Sequence, residues 1–406
     1  MKSFKIVLVA LLTLISSYAS AQFCTSDTRF SEVDFFAITQ IDSLKNATYG
    51  NALTWDGVSQ DLKIDYYFPK RTIDPMPSRP FILLLHGGGF TQGQKESKLL
   101  ECKELAKRGY VVATMNYRLG YDQTDPNNLI KAVYRAQQDA NAALRYTVEI
   151  APILEIDTSW MFMGGSSAGS VTSIFTSYMQ QSEWNSGQPD IEDLLGSLNS
   201  SGNNLTHTFG IDGLFNQWGA SPAGSATPDE LIPTISFYGA LDNSLPIGEG
   251  PFGMEGSQLI HDKLIANGIC SDFSLDPQGG HGVYETVEGE KFMINRTSCF
   301  FKSLFCDDCS EFFSTRPVLA DCSSTLNITE SSLQKEIGVY PNPFKDQLSF
   351  NYLSGNEYFY LYTIQGKVIY EGTDIQSQSF GQLSSGLYVL RVRQDAHEQT
   401  FKIFKE

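Results

Sequence analysis

The stretch Gly164-Gly165-Ser166-Ser167-Ala168-Gly169 directly follows a short apolar run, residues 159–163. It fits the pattern Gly-x-Ser-x-Gly, with Ser167 at its centre and a predicted strand before it. A serine that attacks a carbonyl carbon must project from a turn too tight for side chains on its near neighbours, and glycine permits such a turn. Gly and Ser are common residues, so the pattern predicts a nucleophile only together with further residues.

The surrounding chain alternates predicted strands with predicted helices. The segment 80–85 reads Pro-Phe-Ile-Leu-Leu-Leu, which is typical of a strand buried on both faces. Apolar residues recur at helical spacing over 126–149. This alternation predicts an α/β fold with a mostly parallel sheet covered on both sides. The predicted strands are 80–85, 110–115, 159–163, 211–218, 233–238 and 273–275, and the predicted helices are 96–108, 126–149, 168–180 and 256–267.

Acyl transfer by a serine needs a nucleophile, a base, an orienting acid and donors for the developing oxyanion. Ser167 is the candidate nucleophile. The glycines of His86-Gly87-Gly88-Gly89 would let backbone N–H groups approach an oxyanion, because no side chain blocks them. We expect Gly88, Gly89 and Ala168 to form the oxyanion hole. The alternative for this glycine run is a plain flexible loop.

His281 is the candidate base among five histidines. It lies in Gly279-Gly280-His281-Gly282, just after the last predicted strand, whereas the other four lie in the glycine loop, a polar stretch, a helical pattern and the C-terminal tail. Asp242 is the candidate acid because it follows the predicted strand 233–238. Asp276 is the rival acid, although it would have to reach the base from the same loop. A surface histidine and a turn aspartate are the alternatives.

Several motifs occur together within residues 80–282: His86-Gly87-Gly88-Gly89-Phe90, Arg108-Gly109-Tyr110-Val111-Val112, Asn116-Tyr117-Arg118-Leu119, Gln138-Asp139, Gly165-Ser166-Ser167-Ala168-Gly169 and Asp242. Together they resemble an α/β-hydrolase of the carboxylesterase type, and within that group the bacterial feruloyl-esterase-like and hormone-sensitive-lipase-like enzymes. The order Ser167, Asp242, His281 is the one expected of this fold. The resemblance implies ester hydrolysis with no metal ion and no cofactor. Two positions depart from the lipase-like pattern, with Ser166 replacing an acidic residue and Ser170 a glycine.

Residues 1–21 predict a secretory signal peptide. Two lysines precede an apolar stretch, residues 6–15, and Ala19-Ser20-Ala21 forms a small-residue cleavage site before Gln22. The alternative is a transmembrane anchor, but this apolar stretch is short for a bilayer. The signal peptide predicts export through the periplasm.

The seven cysteines of an exported chain predict disulfides, with at least one thiol left over. A metal half-site or a redox pair is the alternative for Cys306-x-x-Cys309. The net charge of −17 argues against nucleic acid and against an anionic membrane surface as partners.

The composition changes after Cys309, which divides the chain into a predicted catalytic domain (22–309), a Ser/Thr-rich linker (310–336) and a tail (337–406). In the tail, short alternating segments separated by glycines predict a small β-sandwich. Its motifs Val339-Tyr340-Pro341-Asn342-Pro343-Phe344, Gln365-Gly366-Lys367-Val368, Leu383-Ser384-Ser385-Gly386-Leu387-Tyr388 and Lys402-Ile403-Phe404-Lys405 resemble the C-terminal sorting domain of the type IX secretion system.

The resemblance of the tail implies an Ig-like fold that the outer-membrane secretion machinery recognises. It also implies a final location outside the cell or on its surface. The alternative is a carbohydrate-binding module, because Tyr358, Tyr360 and Tyr362 alternate as residues on one face of a strand do.

These patterns predict a secreted serine carboxylesterase that acts on small-molecule or polymer-linked esters, such as acetyl or feruloyl groups on polysaccharides, or on polyesters. Phe90 and Trp218 are candidates for the substrate site. Trp184, in the polar stretch 181–208, is a candidate for a lid over that site. Two other classes stay open: a secreted serine peptidase on the same fold and a non-catalytic surface binding protein.

Overall fold

The structure is a computed structural model that describes residues 22–25, 27–31, 34–125, 127–222, 224, 226–250, 253–309, 312–314, 337–351, 353, 355–364, 366–394 and 397–406. The chain forms two compact units, Met1–Asn327 and Ile328–Glu406. The predicted signal peptide and most of the predicted linker lie outside the described residues, so both stay predictions. Over the described part of the chain, no helix is long and apolar enough to cross a membrane.

The first unit contains eleven described strands and seven described α-helices. The strands are β1 (Ile41–Leu53), β2 (Ser59–Pro69), β3 (Arg79–Leu85), β4 (Val111–Met115), β5 (Ile156–Ser166), β6 (Gly213–Gln217), β7 (Ala220–Pro222), β8 (Thr234–Gly239), β9 (Met254–Gly256), β10 (Ser271–Asp276) and β11 (Phe312–Ser314). The helices are α1 (Leu99–Lys107), α2 (Asn128–Leu154), α3 (Ala168–Tyr178), α4 (Gln181–Gly187), α5 (Ile191–Leu195), α6 (Ser257–Ala266) and α7 (Val287–Phe305).

Nine of these strands form one mixed sheet in the order β1-β2-β4-β3-β5-β6-β8-β10-β11. All pairs from β4 to β11 are parallel, and β1 and β2 add an antiparallel ladder at one edge. The predicted α/β-hydrolase fold with a mostly parallel sheet is therefore confirmed. Its parallel strands all end at the same edge of the sheet, which brings together the loops that follow them.

Strand β3 shows why the sheet is covered on both faces. Leu83 and Leu85 lie in one hydrophobic cluster with α2 and α3, whereas Ile82 and Leu84 lie in a second cluster with α1 and α7. Successive side chains of a strand point to opposite faces, so a continuous apolar run needs an apolar cover on each side. Burial of each such side chain stabilises the fold by roughly 1.5–3 kcal/mol.

The sequence patterns do not predict β1, β2 or α7. Most side chains of β1 are exposed or half-buried, so this edge strand lacks the apolar run that marked the central strands. Helix α7 begins in a polar segment, where the hydroxyl of Thr286 accepts a hydrogen bond from the backbone N–H of Gly289. This long helix follows His281 in the chain, and its apolar residues, such as Phe301 and Phe305, pack on the sheet.

The disulfides tie distant segments to the end of α7. Cys24 bonds Cys306, and Cys270 bonds Cys309. The two cysteines of the Cys306-x-x-Cys309 motif thus bond remote partners, not each other or a metal ion. Cys102 is a free buried thiol, and burial raises its pKa well above the usual value. The prediction that the chain forms disulfides and keeps at least one cysteine unpaired is confirmed.

The second unit has its own hydrophobic core between two antiparallel sheets. Phe359, Leu361 and Leu390 point into this core, which confirms the predicted small β-sandwich. The alternating tyrosines lie on the other face of their strand, where the rings of Tyr360 and Tyr362 stack with centroids 6.2 Å apart. Its strands are β12 (Gly338–Tyr340), β13 (Ser349–Asn351), β14 (Tyr358–Thr363), β15 (Val368–Gly372), β16 (Gly386–Gln394) and β17 (His397–Lys405).

Candidate active site

Ser167 occupies a sharp turn between the end of β5 and the start of α3. Its backbone has φ 51° and ψ −121°, a region that side chains disfavour. A Cβ at Gly165 or at Gly169 would lie 2.3 Å from the carbonyl oxygen of Leu85. Only glycine fits at both flanking positions, which is the physical reason for the Gly-x-Ser-x-Gly spacing.

Three predicted residues meet at the edge of the sheet. The Oγ of Ser167 lies 2.7 Å from the Nε2 of His281, whose Nδ1 lies 2.8 Å from the Oδ2 of Asp242. A carboxylate only accepts hydrogen bonds, so Nδ1 carries the ring proton of the neutral imidazole. The lone pair on Nε2 is then free to accept the hydroxyl proton of Ser167.

Backbone contacts hold the Asp242 carboxylate in position. Its Oδ1 accepts the N–H groups of Ser244 and Leu245, at 2.8 and 2.9 Å, and its Oδ2 faces the imidazole of His281. The rival Asp276 instead bonds within its own turn, where its Oδ1 accepts the N–H of Gln278 at 3.0 Å. The geometry therefore pairs Asp242, and not Asp276, with the histidine.

The glycine loop after β3 runs directly against Ser167. A Cβ at Gly87 would lie 3.4 Å from the Cβ of Ser167. Gly88 and Gly89 both have positive φ angles, 116° and 59°, and a Cβ at Gly88 would lie only 2.0 Å from the carbonyl oxygen of Gln92. The loop thus needs glycine at these positions for its backbone shape.

The segment after β4 holds the glycine loop in place. The hydroxyl of Tyr117 donates to the carbonyl oxygen of His86 at 2.8 Å, and the ring of Tyr117 stacks on the imidazole at 4.3 Å. The N–H of Gly120 donates to the carbonyl oxygen of Phe90 at 2.7 Å. Burial lowers the pKa of His86, so its ring is neutral near pH 7 and serves as a packing element.

The three aromatic residues predicted for the substrate site have different surroundings. Trp184 is only 2% exposed; its ring contacts Tyr134 and Phe175, and its indole N–H donates to Gln137 at 2.7 Å. Trp184 therefore packs as a core residue between α4 and the helices α2 and α3, a position that does not support its predicted role in a lid. Phe90 is also buried, and its ring meets Tyr117 edge-on.

Trp218 lines a cavity of about 200 Å³ beside the turn that carries Ser167. The Lys98 ammonium lies in its wall and donates to Glu101 at 2.9 Å and to the side-chain oxygen of Gln217 at 2.7 Å. Other lining residues are Ser97, Leu100, Ser166, Glu285, Glu290 and Met293.

The cavity is acidic, because its walls carry three carboxylates, Glu101, Glu285 and Glu290, and one ammonium group, Lys98. Burial, with the charges of Glu101 and Glu285, raises the pKa of Glu290. No sequence pattern indicates this cavity, because its walls come from four separate segments, and Lys98 is 119 positions away from Gln217. Within the described residues, no group of His, Cys, Asp and Glu side chains is arranged to hold a metal ion.

Comparison with protein families gives two matches. Residues 64–220 match the family BD-FAE, and residues 338–406 match the family described as secretion system C-terminal sorting domain. Methylphloroacetophenone synthase from Cladonia uncialis is 34% identical over 97 residues, which are 24% of this chain and 4% of that protein. The chain therefore spans only a small part of the length of this relative.

Solved structures of esterases are among those similar to the chain. Est2 from the Planctomycetes species Thermogutta terrifontis, bound to butyrate, has a TM-score of 0.47 at 17% identity, covering 67% of this chain and 96% of its own. Esterase B from Lactobacillus rhamnosis has a TM-score of 0.45 at 17% identity, covering 76% and 97%. On the family matches, the chain carries an esterase-like α/β-hydrolase domain of the BD-FAE family, followed by a secretion system C-terminal sorting domain.

Proposed function

We propose that this chain is a secreted serine carboxylesterase in which Ser167, His281 and Asp242 form the catalytic triad. The observation that carries the proposal is the continuous hydrogen-bonded series from the Ser167 hydroxyl through the imidazole to a buried carboxylate. The esterase-like domain supports the same reaction class. Neither a metal ligand nor a cofactor group is needed for this chemistry.

The proposed reaction begins when His281 takes the hydroxyl proton of Ser167 as its oxygen attacks the ester carbonyl. The resulting imidazolium lies beside the Asp242 carboxylate, which stabilises the positive charge. Collapse of the tetrahedral intermediate breaks the bond to the alkoxy oxygen, and His281 returns the proton to this leaving alcohol. Water then attacks the acyl-enzyme in the same way, releasing the acid and restoring Ser167.

The proposed oxyanion hole consists of the backbone N–H groups of Gly88, Gly89 and Ala168. Ala168 is the first residue of α3, so its N–H has no acceptor within the helix. The positive end of the helix dipole adds to the stabilisation of a developing negative charge. Each such donor lowers the barrier by roughly 2.7–4 kcal/mol in comparable enzymes.

The sorting domain indicates secretion or attachment to the cell surface. We propose that the type IX secretion machinery recognises this domain after export of the chain through the periplasm by its predicted signal peptide. The substrate would then be an ester outside the cell.

The cavity beside Ser166 supports an ester on a sugar residue as substrate. Its walls include the carboxylates of Glu285 and Glu290, which can accept hydrogen bonds from sugar hydroxyls, and the indole of Trp218 as an apolar surface. A sugar residue would offer hydroxyl donors to these carboxylates, whereas an ester with a long apolar chain would not. Acetyl or feruloyl esters of polysaccharides are therefore the favoured substrates.

The first experiment measures hydrolysis of p-nitrophenyl acetate by the full chain and by Ser167→Ala. We expect the substitution to lower kcat by about 10⁶-fold. Ser177→Ala is a matched control, because its hydroxyl lies on the same helix and bonds only the carbonyl oxygen of Ser173. Full activity in Ser167→Ala, or no activity in the folded wild-type protein, would contradict the proposal.

A second experiment tests the substrate class by comparing an acetylated xylo-oligosaccharide with p-nitrophenyl acetate. Glu290→Gln changes the charge of the cavity and keeps nearly the same shape. If sugar hydroxyls bind there, the substitution alters KM for the oligosaccharide and not for p-nitrophenyl acetate. Equal effects on both substrates would exclude the cavity as a sugar subsite.

A further inference from the structure

A buried hydrogen-bond cluster lies beneath the turn that carries Ser167. We call it the Asn216 cluster; its members are Ser170, Asn216, Gly219, Ser236 and Ser257. The side chains of the four polar members are at most 1% exposed. They come from α3, β6, β8 and α6, so the cluster joins four elements of the fold.

The carboxamide of Asn216 uses its full hydrogen-bonding capacity, two acceptor sites and two donors. Its Oδ1 accepts the hydroxyl of Ser170 at 2.6 Å and the N–H of Gly219 at 2.8 Å. Its Nδ2 donates to the hydroxyls of Ser257 at 2.9 Å and Ser236 at 3.1 Å. A buried amide with all four bonds made has one orientation, because any rotation leaves polar atoms unpaired.

Two members of the cluster, Ser170 and Ser236, lie on the elements that carry the proposed catalytic groups. Ser170 lies in the first turn of α3, three residues after Ser167. Ser236 lies in β8, the strand that precedes the loop of Asp242. Asn216 itself pairs in register with Gly165 on one side and with Ser236 on the other. The cluster thus links the turn of the nucleophile to the strand of the acid.

Ser170 is one of the two positions where the chain departs from the lipase-like pattern, in which glycine is usual. A glycine there could not donate to Asn216, and the amide oxygen would lose one of its two partners. A Cβ at Gly219 would lie 2.4 Å from the Ser170 hydroxyl oxygen, so the backbone of Gly219 packs closely against this hydroxyl.

We infer that Ser170 is a positioning residue, which acts through Asn216 to hold the Ser167 turn in register with the strand that leads to Asp242. The inference rests on the proposed function, because it concerns the reactivity of Ser167. Small displacements matter at such a site, since a misplacement of about 1 Å can lower the rate about 100-fold.

The test compares Ser170→Ala with Ser173→Ala in the full chain. Ser173 is equally buried on the same helix, but its hydroxyl donates only to the carbonyl oxygen of Gly169, within the helix. We expect Ser170→Ala to lower kcat for p-nitrophenyl acetate about tenfold with KM unchanged within about twofold. Ser173→Ala should leave both constants near wild type.

Ser257→Ala removes the hydroxyl that accepts from the amide nitrogen of Asn216, and together with Ser170→Ala it forms a double-mutant cycle. If both hydroxyls act through Asn216, the double variant loses less activity than the product of the two single losses. Equal kcat in Ser170→Ala and Ser173→Ala, or a strictly multiplicative double variant, would overturn the inference. Circular dichroism and melting temperature establish that each variant is folded.

A fluorophosphonate probe separates this inference from the proposed function. The probe forms a covalent bond between phosphorus and the Ser167 oxygen and releases fluoride, so its rate reports the reactivity of Ser167 without an ester substrate. A wild-type protein that reacts with the probe but hydrolyses no ester contradicts the esterase proposal. Even then, slower labelling in Ser170→Ala than in Ser173→Ala supports the positioning role, and equal rates overturn it. Absence of labelling in wild type overturns both.

Discussion

Asp242 and His281 are 39 positions apart in the chain, yet their side chains meet through one hydrogen bond of 2.8 Å. The carboxylate of Asp242 is fully buried, whereas the imidazole of His281 is 28% exposed. The acid is thus shielded from water, and the base keeps an open side toward Ser167. The two residues follow different strands, β8 and β10, which are parallel neighbours in the sheet.

Replacement of Asp242 by Asn separates the proposed acid from its rival. An amide at this position donates to Nδ1, which forces the imidazole into the tautomer whose Nε2 carries the proton. We expect kcat for p-nitrophenyl acetate to fall about 10⁴-fold. Asp276→Asn is the matched control and should keep wild-type activity. A loss in the control that equals the loss in Asp242→Asn would reassign the acid.

Alanine substitutions at Gly88 and Gly89 should have different consequences. At Gly88 the new Cβ overlaps the carbonyl oxygen of Gln92, so the loop must move and its N–H leaves the oxyanion. We expect a loss of kcat of roughly 10²–10³-fold. At Gly89 no atom lies within 4 Å of the new Cβ, and the cost is the positive φ of 59°.

That conformational cost for Gly89→Ala is about 1–2 kcal/mol of folding free energy, with a smaller effect on kcat. Denaturant unfolding and steady-state kinetics on both variants provide the measurement. The prediction is wrong if Gly89→Ala loses as much kcat as Gly88→Ala.

Asp212 gives the fold a dependence on pH away from the proposed site. Burial raises its pKa from 3.8 to about 6, although its Oδ2 accepts the N–H of Met161 at 2.8 Å. The folded chain therefore binds this proton more tightly than the unfolded chain does. Since the folded state holds more protons between these two pKa values, the contribution of Asp212 to stability falls as pH rises from about 3.8 to about 6.

Asp212→Asn should remove this dependence, because an amide still accepts from Met161 but carries no charge. We expect the substitution to raise the melting temperature above pH 6, and to have little effect near pH 4. Asp193→Asn, at an exposed position, is the control and should show no such difference between the two pH values. A pH-independent effect of Asp212→Asn would contradict the assignment.

Trp184 should matter for stability and not for substrate binding. Truncation of a buried tryptophan to Ala typically costs 3–5 kcal/mol, because a cavity replaces its contacts. We expect Trp184→Ala to lower the free energy of unfolding by about this amount, with KM for p-nitrophenyl acetate unchanged. Leu194→Ala, at a side chain that is 63% exposed, is the control. A large rise in KM with unchanged stability would restore Trp184 to the substrate site.

Local patterns in the sequence were enough for the central part of the fold. The apolar run of β3 reflects its burial on both faces, and the glycines around Ser167 reflect the tight turn there. Both requirements are met by a few residues that are neighbours in the chain. Strand β1 cannot be predicted from such a pattern, because its side chains are mostly exposed or half-buried and show no apolar run. The burial of Trp184 does not show in the sequence, because its polar neighbours resemble a surface loop, whereas α4 packs this ring against α2 and α3.

The sequence by itself determined which chemical groups are available: a serine on a turn that only glycines allow, a histidine and an aspartate after predicted strands, and a glycine loop after a buried strand. These are local properties of side chains and backbone. Only the tertiary structure decided which aspartate meets His281, where Trp184 packs, and that Ser170 bonds Asn216, 46 positions away. Such contacts depend on how parallel strands are ordered and aligned in the sheet, which no short stretch of sequence encodes.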